Sequence, residues 1–188
     1  MGTYQGISPI KNPIKCAISQ HAALAIAVLI LVGCTNNKSS ETLISNKQEQ
    51  KITVLTDTDE QRLRDQRAVV EAYLGNDDSK QKYQTAPGKL GTIRAILDAD
   101  VFKPDQTYEL QCLGIVLGDT FVQELKMEWI MVEHEDGRDP AVRMPGTSII
   151  LFPLTMISKR IERGEKVDVF ELFNDVAALV EDLQRQGI

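Results

Sequence analysis

Cysteine and histidine carry most of the reactive chemistry available to a protein, and this chain has three cysteines and two histidines. Cys34 is distinctive because it directly follows an apolar run that ends in Val32 and Gly33 and precedes a polar stretch. The apolar residues 22–32 would rise about 16 Å as a helix, roughly half the hydrocarbon thickness of a membrane. Lys11 and Lys15 precede the run without any acidic residue, and this pattern is typical of a secretory signal.

The letters LVGC at residues 31–34 resemble the lipobox of bacterial lipoproteins. The resemblance implies that residues 1–33 are a lipoprotein signal peptide, and that Cys34 becomes the lipidated first residue after cleavage. Two or three acyl chains attach a protein lastingly, whereas one chain is marginal. Because Thr35 rather than aspartate follows, the resemblance implies the outer membrane, facing the periplasm, with the inner membrane or cell surface as alternatives. The competing interpretation is a buried core helix that contains a cysteine.

Few other side chains suggest catalysis or metal binding once the signal is removed. Cys112 lies in an apolar segment and is predicted to be a small buried hydrophobe. His134 is then the remaining histidine, and it has too few cysteine partners for the usual zinc site. The acidic stretch 133–139 could attract a hard cation, but its spacing does not match a calcium loop. We therefore expect no catalytic residue, no metal site and no cofactor.

Arg67 and Asp119 are the charged residues that the helical pattern places closest to the core. Arg67 falls within an apolar stripe, four residues after Leu63, and Asp119 lies where a long apolar helix turns polar. The pattern predicts a partly buried ion pair between them. We expect its role to be structural, because one acid and one arginine without a nucleophile define no reaction.

A basic cluster near the end of a later predicted helix comprises Lys159, Arg160, Arg163 and Lys166. Cations at a helix C-terminus complement the helix dipole, and this is the simpler explanation. The alternative is an interaction surface for an anionic partner, such as a lipid headgroup or an acidic protein face.

Composition limits the classes of partner. Cleavage after residue 33 would leave 155 residues with 19 basic and 27 acidic side chains, a net charge of −8. This length suits one domain and a tether. The negative charge argues against nucleic acid as a partner, because phosphate binding needs clustered cations. It also argues against adsorption to anionic lipid.

The chain divides into a flexible tether, residues 34–57, and a single domain, residues 58–186. An alternative for residues 51–55, at the end of the tether, is a short strand. Within the domain, a capping box is predicted at residues 58–61, and the polar residues 76–84 are predicted to form a loop with one helical turn. Helices are predicted over these ranges: 58–74, 90–101, 103–126, 153–164 and 168–184.

The remaining elements are three short β-rich runs, at residues 127–133, 140–144 and 148–152, separated by turn dipeptides. We therefore predict an α+β fold, with a small three-stranded antiparallel meander covered by about five helices. The central and final helices are expected to cover the sheet. Gly114 and Gly118, which share one face of the central helix, predict the close approach of another backbone.

The domain also resembles a bacterial family known as domain of unknown function 3806. The resemblance covers about residues 58–186 and is carried by four segments: LGIVLGD (113–119), EWIMV (128–132), DGRDPAVRMPGTSIILFP (136–153) and MISKRIERGEKVDV (156–169). It implies one compact domain, and it assigns no residue a catalytic role.

These observations favour a lipid-anchored protein of the cell envelope, most simply a non-enzymatic binding or structural module. Its expected partners are the membrane, through the lipid, and an envelope protein. One alternative is a periplasmic immunity-type protein, because an acidic surface would steer towards a basic toxin. Another is a hydrolase that uses two carboxylates.

Overall fold

The structure is a computed structural model that describes residues 51–134 and 137–188. The predicted signal peptide, Cys34 and residues 35–50 of the predicted tether lie outside the described residues. Asp136, which belongs to the acidic stretch 133–139, also lies outside them.

The described chain is an α+β fold in which four strands and six helices follow one another with short connections. The strands are β1 (Lys51–Thr53), β2 (Glu128–His134), β3 (Gly137–Arg143) and β4 (Ile150–Leu151). The helices are α1 (Asp57–Glu71), α2 (Asp77–Tyr83), α3 (Ala86–Asp98), α4 (Thr107–Leu125), α5 (Ser158–Glu162) and α6 (Val169–Arg185). A 3₁₀ turn, Pro153–Thr155, precedes α5.

The α+β class was predicted, but the counts of three strands and five helices were wrong. The additional strand is β1, which pairs with β2 and leaves the sheet in the order β1-β2-β3-β4. A short strand within residues 51–55 was the alternative for the end of the tether, and the pairing of β1 with β2 confirms that alternative. The additional helix is α2, which has no apolar stripe and begins with a reciprocal cap between Asn76 and Ser79.

Several predicted helix starts were also wrong. Helix α3 begins at Ala86 rather than at residue 90, and α5 begins at Ser158 rather than at residue 153. The capping box of α1 is made by Thr56 and Asp59, two residues earlier than predicted, because Asp59 accepts from the Thr56 backbone N–H at 2.8 Å. Helix α4 begins at Thr107 rather than at residue 103. The Gln106 side chain accepts from the Lys103 backbone N–H at 2.8 Å and so closes a turn before the helix.

Helix α4 forms the centre of the fold. Ten of its residues are buried, and it packs against α1, α3, α5, α6, β3 and the 3₁₀ turn. The final helix α6 packs on α3 and α4. The prediction that α6 covers the sheet was therefore wrong. Among the described residues, no helix has the length and apolar character required to span a membrane.

The predicted close approach of another backbone is confirmed at Gly114, whereas at Gly118 the close neighbour is a side chain. A Cβ atom at Gly114 would lie 2.5 Å from the backbone oxygen of Pro153, and one at Gly118 would lie 2.5 Å from the indole of Trp129. The 3₁₀ turn and strand β2 can therefore reach the helix backbone directly. This contact fixes the sheet against α4.

The two faces of the sheet differ because side chains alternate along a strand. Trp129 and Val142 pack with the helices. Ile130, Val132 and Ala141 form a separate buried cluster on the opposite face.

We predict that Gly114→Ala destabilises the fold by about 1–3 kcal/mol, because the new methyl group would overlap backbone that cannot move independently. Gly91→Ala is the matched control, since Gly91 lies within α3 and a Cβ there has no neighbour within 4 Å. That substitution should stabilise by up to about 1 kcal/mol through helix propensity. Urea unfolding of both variants measures the two effects. Equal and favourable shifts would contradict the close packing at Gly114.

Candidate functional site

The strongest polar contact between distant elements joins α1 to α4. The Arg67 guanidinium donates from Nε to Asp119 Oδ2 and from Nη2 to Asp119 Oδ1, each at 2.7 Å. The two side chains are 25% and 14% exposed, so this ion pair is largely withdrawn from water. The structure therefore brings together the two residues for which the sequence predicted an ion pair.

Trp129 extends this pair into the sheet. Its Nε1 donates to Asp119 Oδ1 at 3.0 Å, and the Arg67 guanidinium carbon lies 6.0 Å from the centre of its ring. Asp119 thus accepts three hydrogen bonds from two elements, and its charge is matched by an arginine. The tryptophan was not identified as part of the site from sequence, because its partner lies on the preceding helix and only folding directs the indole back towards it.

Burial by itself lowers the pKa of the Arg67 guanidinium. The hydrogen bonds and charge of Asp119 outweigh this effect and raise that pKa above its ordinary value. Arg67 is consequently a permanent cation in a partly apolar setting.

A groove of about 430 Å³ opens above this ion pair. Arg67 and Trp129 line it together with Leu55, Leu63 and the side chains of Glu60 and Arg64. Its size falls within the range of small-ligand sites. A guanidinium beside an aromatic ring and aliphatic walls is a combination that favours binding of a partly apolar, partly charged group.

A second polar cluster lies behind the ion pair, where α2, α3 and α4 meet. Lys89 is 8% exposed, and its Nζ donates to the Tyr83 carbonyl at 3.0 Å and to Gln123 Oε1 at 3.4 Å. Burial lowers the pKa of Lys89, and it raises the pKa of the Tyr83 hydroxyl well above its ordinary value. The ammonium group thereby satisfies a carbonyl at the end of α2.

Two buried side chains in this region have polar atoms without a partner among the described residues. They are the amide of Gln66, which is 1% exposed, and the hydroxyl of Tyr83. Neither residue was identified from the sequence as buried and polar. Gln66 occupies a core-facing position on α1 between Leu63 and Val70. The spacing of the apolar residues could have indicated that this position is buried, but not that a polar amide is buried there.

Arg138 makes the second large ion pair and fixes the segment that leads into α1. Its Nη1 donates to Asp59 Oδ1 at 2.6 Å, and its Nη2 donates to Thr53 Oγ1 and to the Val54 carbonyl at 3.1 and 3.3 Å. Its Nε donates to Glu133 at 3.2 Å. One side chain on β3 thus joins β1, β2 and the start of α1.

The basic cluster predicted at the end of a helix does not converge on one point. Arg160 donates to the Met156 carbonyl at 2.5 Å, and Arg163 pairs with Glu165 at 2.7 Å. Lys159 and Lys166 are exposed. Because Met156 precedes the first residue of α5, the contact that Arg160 makes is not one with the C-terminus of that helix.

The remaining candidates for chemistry show no active constellation. Cys112 is fully buried and free, and burial raises the pKa of its thiol to about 11, which disfavours the nucleophilic thiolate. Its predicted role as a buried hydrophobe is confirmed. His134 lies 3.3 Å from Asp139. Over residues 51–134 and 137–188, no three His, Cys, Asp or Glu side chains form a cluster that could hold a metal ion.

The fold of the described residues has a counterpart among solved structures. It resembles a crystal structure from Bacteroides thetaiotaomicron VPI-5482, with a TM-score of 0.55 at 13% sequence identity. The match covers 68% of this chain and 47% of the other, so this chain spans about half the length of that protein. At this identity the likeness concerns the fold alone. No curated protein sequence matches the chain.

Residues 89–173 match the model of the family described as Domain of unknown function (DUF3806). The resemblance to that domain, which the sequence suggested, is thereby confirmed for this part of the chain. The match is shorter than the expected range 58–186. It includes Asp119 and Trp129 but begins after Arg67, so the groove is built from matched and unmatched segments.

We predict that Asp119→Asn destabilises the domain by about 3 kcal/mol, because it leaves the Arg67 guanidinium partly buried without a counter-charge. Asp182→Asn is the matched control, since Asp182 pairs with Arg185 on the exposed surface of α6. That change should cost about 0.5 kcal/mol or less. Chemical unfolding of the two variants measures the difference, and similar small losses would show that the Arg67 pair contributes little.

The contact between Asp59 and Arg138 predicts a loss of stability in acid. Burial tends to raise the pKa of Asp59, but hydrogen bonds from Thr56 and the Arg138 guanidinium lower it below its ordinary value of 3.8. A lowered pKa in the folded state means that ionised Asp59 contributes stability above pH 3.8 and loses it as the pH falls through the folded value. The stability difference between the protein and Asp59→Asn should therefore shrink in that range. Thermal unfolding across a pH series tests this, and a constant difference would contradict it.

Proposed function

We propose that this protein is a lipid-anchored binding module of a bacterial cell envelope, attached to the outer membrane through Cys34 and facing the periplasm. The groove above the Arg67–Asp119 pair is the observation that supports the binding role. Its floor combines a fixed cation with the indole of Trp129, and such residues are enriched among those that dominate binding energy at interfaces.

The polar groups around the groove support binding rather than turnover. Asp119 accepts from Arg67 and Trp129, and Asp59 is held by Arg138, so the two best-buried carboxylates in ion pairs are already engaged with cations. A general acid or base needs a proton that it can exchange at working pH. Carboxylates bound in this way serve as partners of the two arginines.

The proposed anchor rests on the lipobox-like LVGC sequence and on the short apolar run before it. Thioether-linked acyl chains would hold the domain at the bilayer surface, while residues 35–50 would provide the distance between lipid and domain. Attachment near a membrane raises the effective concentration of a binding module towards other envelope components.

We predict that Cys34→Ala removes the protein from the outer-membrane fraction or leaves it as an uncleaved precursor, because the variant has no thiol to acylate. Fractionation of cells and intact-mass measurement of the purified protein report both outcomes. Cys112→Ala is the control, since that thiol is buried in the domain. Normal membrane attachment and normal processing of Cys34→Ala would refute the anchor.

The binding role is tested by crosslinking the full-length protein in its own cells and identifying captured proteins by mass spectrometry. One dominant partner that is crosslinked to the anchored protein but not to Cys34→Ala would support an envelope binding module. Absence of any enriched partner, with the protein still in the membrane fraction, would refute the role as a protein-binding module.

A further inference from the structure

Part of the wall of the groove is apolar. Leu55, Leu63 and Trp129 line it, and Val54, at its edge, is 81% exposed. A single exposed valine would be ordinary, but one that adjoins two leucines and an aromatic ring extends a surface that an apolar side chain can cover.

The same groove holds unused hydrogen-bond donors. A guanidinium has five N–H groups, and Arg67 directs only its Nε and Nη2 towards Asp119. Its Nη1 donates to no described residue, while the side chain lines the groove and is 25% exposed. A cation that is already fixed in position loses little further freedom when it binds an anion, and carboxylates match its planar geometry.

The backbone beside this apolar part of the wall has N–H groups that are unpaired within the described part of the chain. Val54 and Leu55 follow the edge strand β1 directly, and within residues 51–134 and 137–188 their N–H groups donate to no acceptor. An extended peptide can form backbone hydrogen bonds with such a segment.

The geometry points to the carboxy-terminal end of a partner protein, with an apolar last residue, as the ligand of this groove. A terminal residue carries its carboxylate and its side chain on the same Cα atom. It can therefore place the carboxylate at Arg67 while the side chain covers the wall of Leu63 and Trp129. This inference rests on the proposed binding function and specifies its ligand.

Glu60 adds selectivity against acidic side chains. It lines the same groove, and Arg64, at 3.4 Å and more than half exposed, offsets only part of its charge. One carboxylate can be accommodated by Arg67, but a second one near Glu60 would meet like charge. The groove should thus prefer an apolar last residue to Asp or Glu.

Trp129 is the chain's single tryptophan, so its fluorescence reports directly on the groove. The full-length protein in detergent would be titrated with short N-acetylated peptides that end in Leu, Phe or Asp, each with a free or an amidated C-terminus. We expect saturable changes in emission with free Leu or Phe ends, and binding weaker by about tenfold or more for the amides, because a charged hydrogen bond is lost. Peptides that end in Asp should also bind more weakly.

Val54→Glu tests the site without disturbing either ion pair, because the side chain is exposed and the change adds a negative charge to the groove edge. Leu179→Glu is the matched control, since Leu179 is a 54% exposed apolar residue on α6 and lies outside the groove. We expect Val54→Glu to weaken binding of the free Leu peptide about tenfold or more and Leu179→Glu to leave it unchanged, with melting temperatures similar to that of the unmodified protein.

Equal affinity for free and amidated peptides would overturn recognition of the carboxylate. Equal binding by Val54→Glu and Leu179→Glu, or no response of Trp129 to any peptide, would overturn the assignment to this groove. These results differ from failure of the proposed function: a partner captured in cells equally by Val54→Glu and the unmodified protein would preserve the binding module and reject only this ligand.

Discussion

The contact among Arg67, Asp119 and Trp129 is the constraint on which the rest of the described structure depends. A guanidinium and a carboxylate withdrawn from water are tolerated only when each is matched in charge and hydrogen bonding. Because the three side chains come from α1, α4 and β2, satisfying them fixes the first helix and the sheet to the same part of the central helix. The groove exists because these elements are held together there while its opposite side is left open.

The central helix can serve as this reference because it lacks side chains where the other elements approach it most closely. Gly114 receives the backbone of the 3₁₀ turn, and Gly118 receives the indole that bonds to Asp119. A glycine inside a helix costs about 1 kcal/mol relative to alanine. Here that cost accompanies two close contacts which set the angle between sheet and helices and bring the Trp129 N–H within reach of a carboxylate.

Charge placement in the described region also engages its least exposed carboxylates in ion pairs. Asp119 accepts from Arg67 and Asp59 accepts from Arg138, while the buried Lys89 ammonium donates to the Tyr83 carbonyl. The two bonds to Asp119 also fix the position of the Arg67 guanidinium at the groove.

Local patterns in the sequence determined the α+β class, the buried state of Cys112, the close contact at Gly114 and the pairing of Arg67 with Asp119. Each follows from helical spacing on a single segment, or from a charge within an apolar stripe that requires a partner. Only the tertiary structure decided the pairing of β1 with β2, the Arg138–Asp59 contact and the bond between Trp129 and Asp119. Arg138 and Asp59 are 79 residues apart, and β1 is too short to show a period. Such features arise when distant segments meet, because their free energy comes from partners that no local pattern contains.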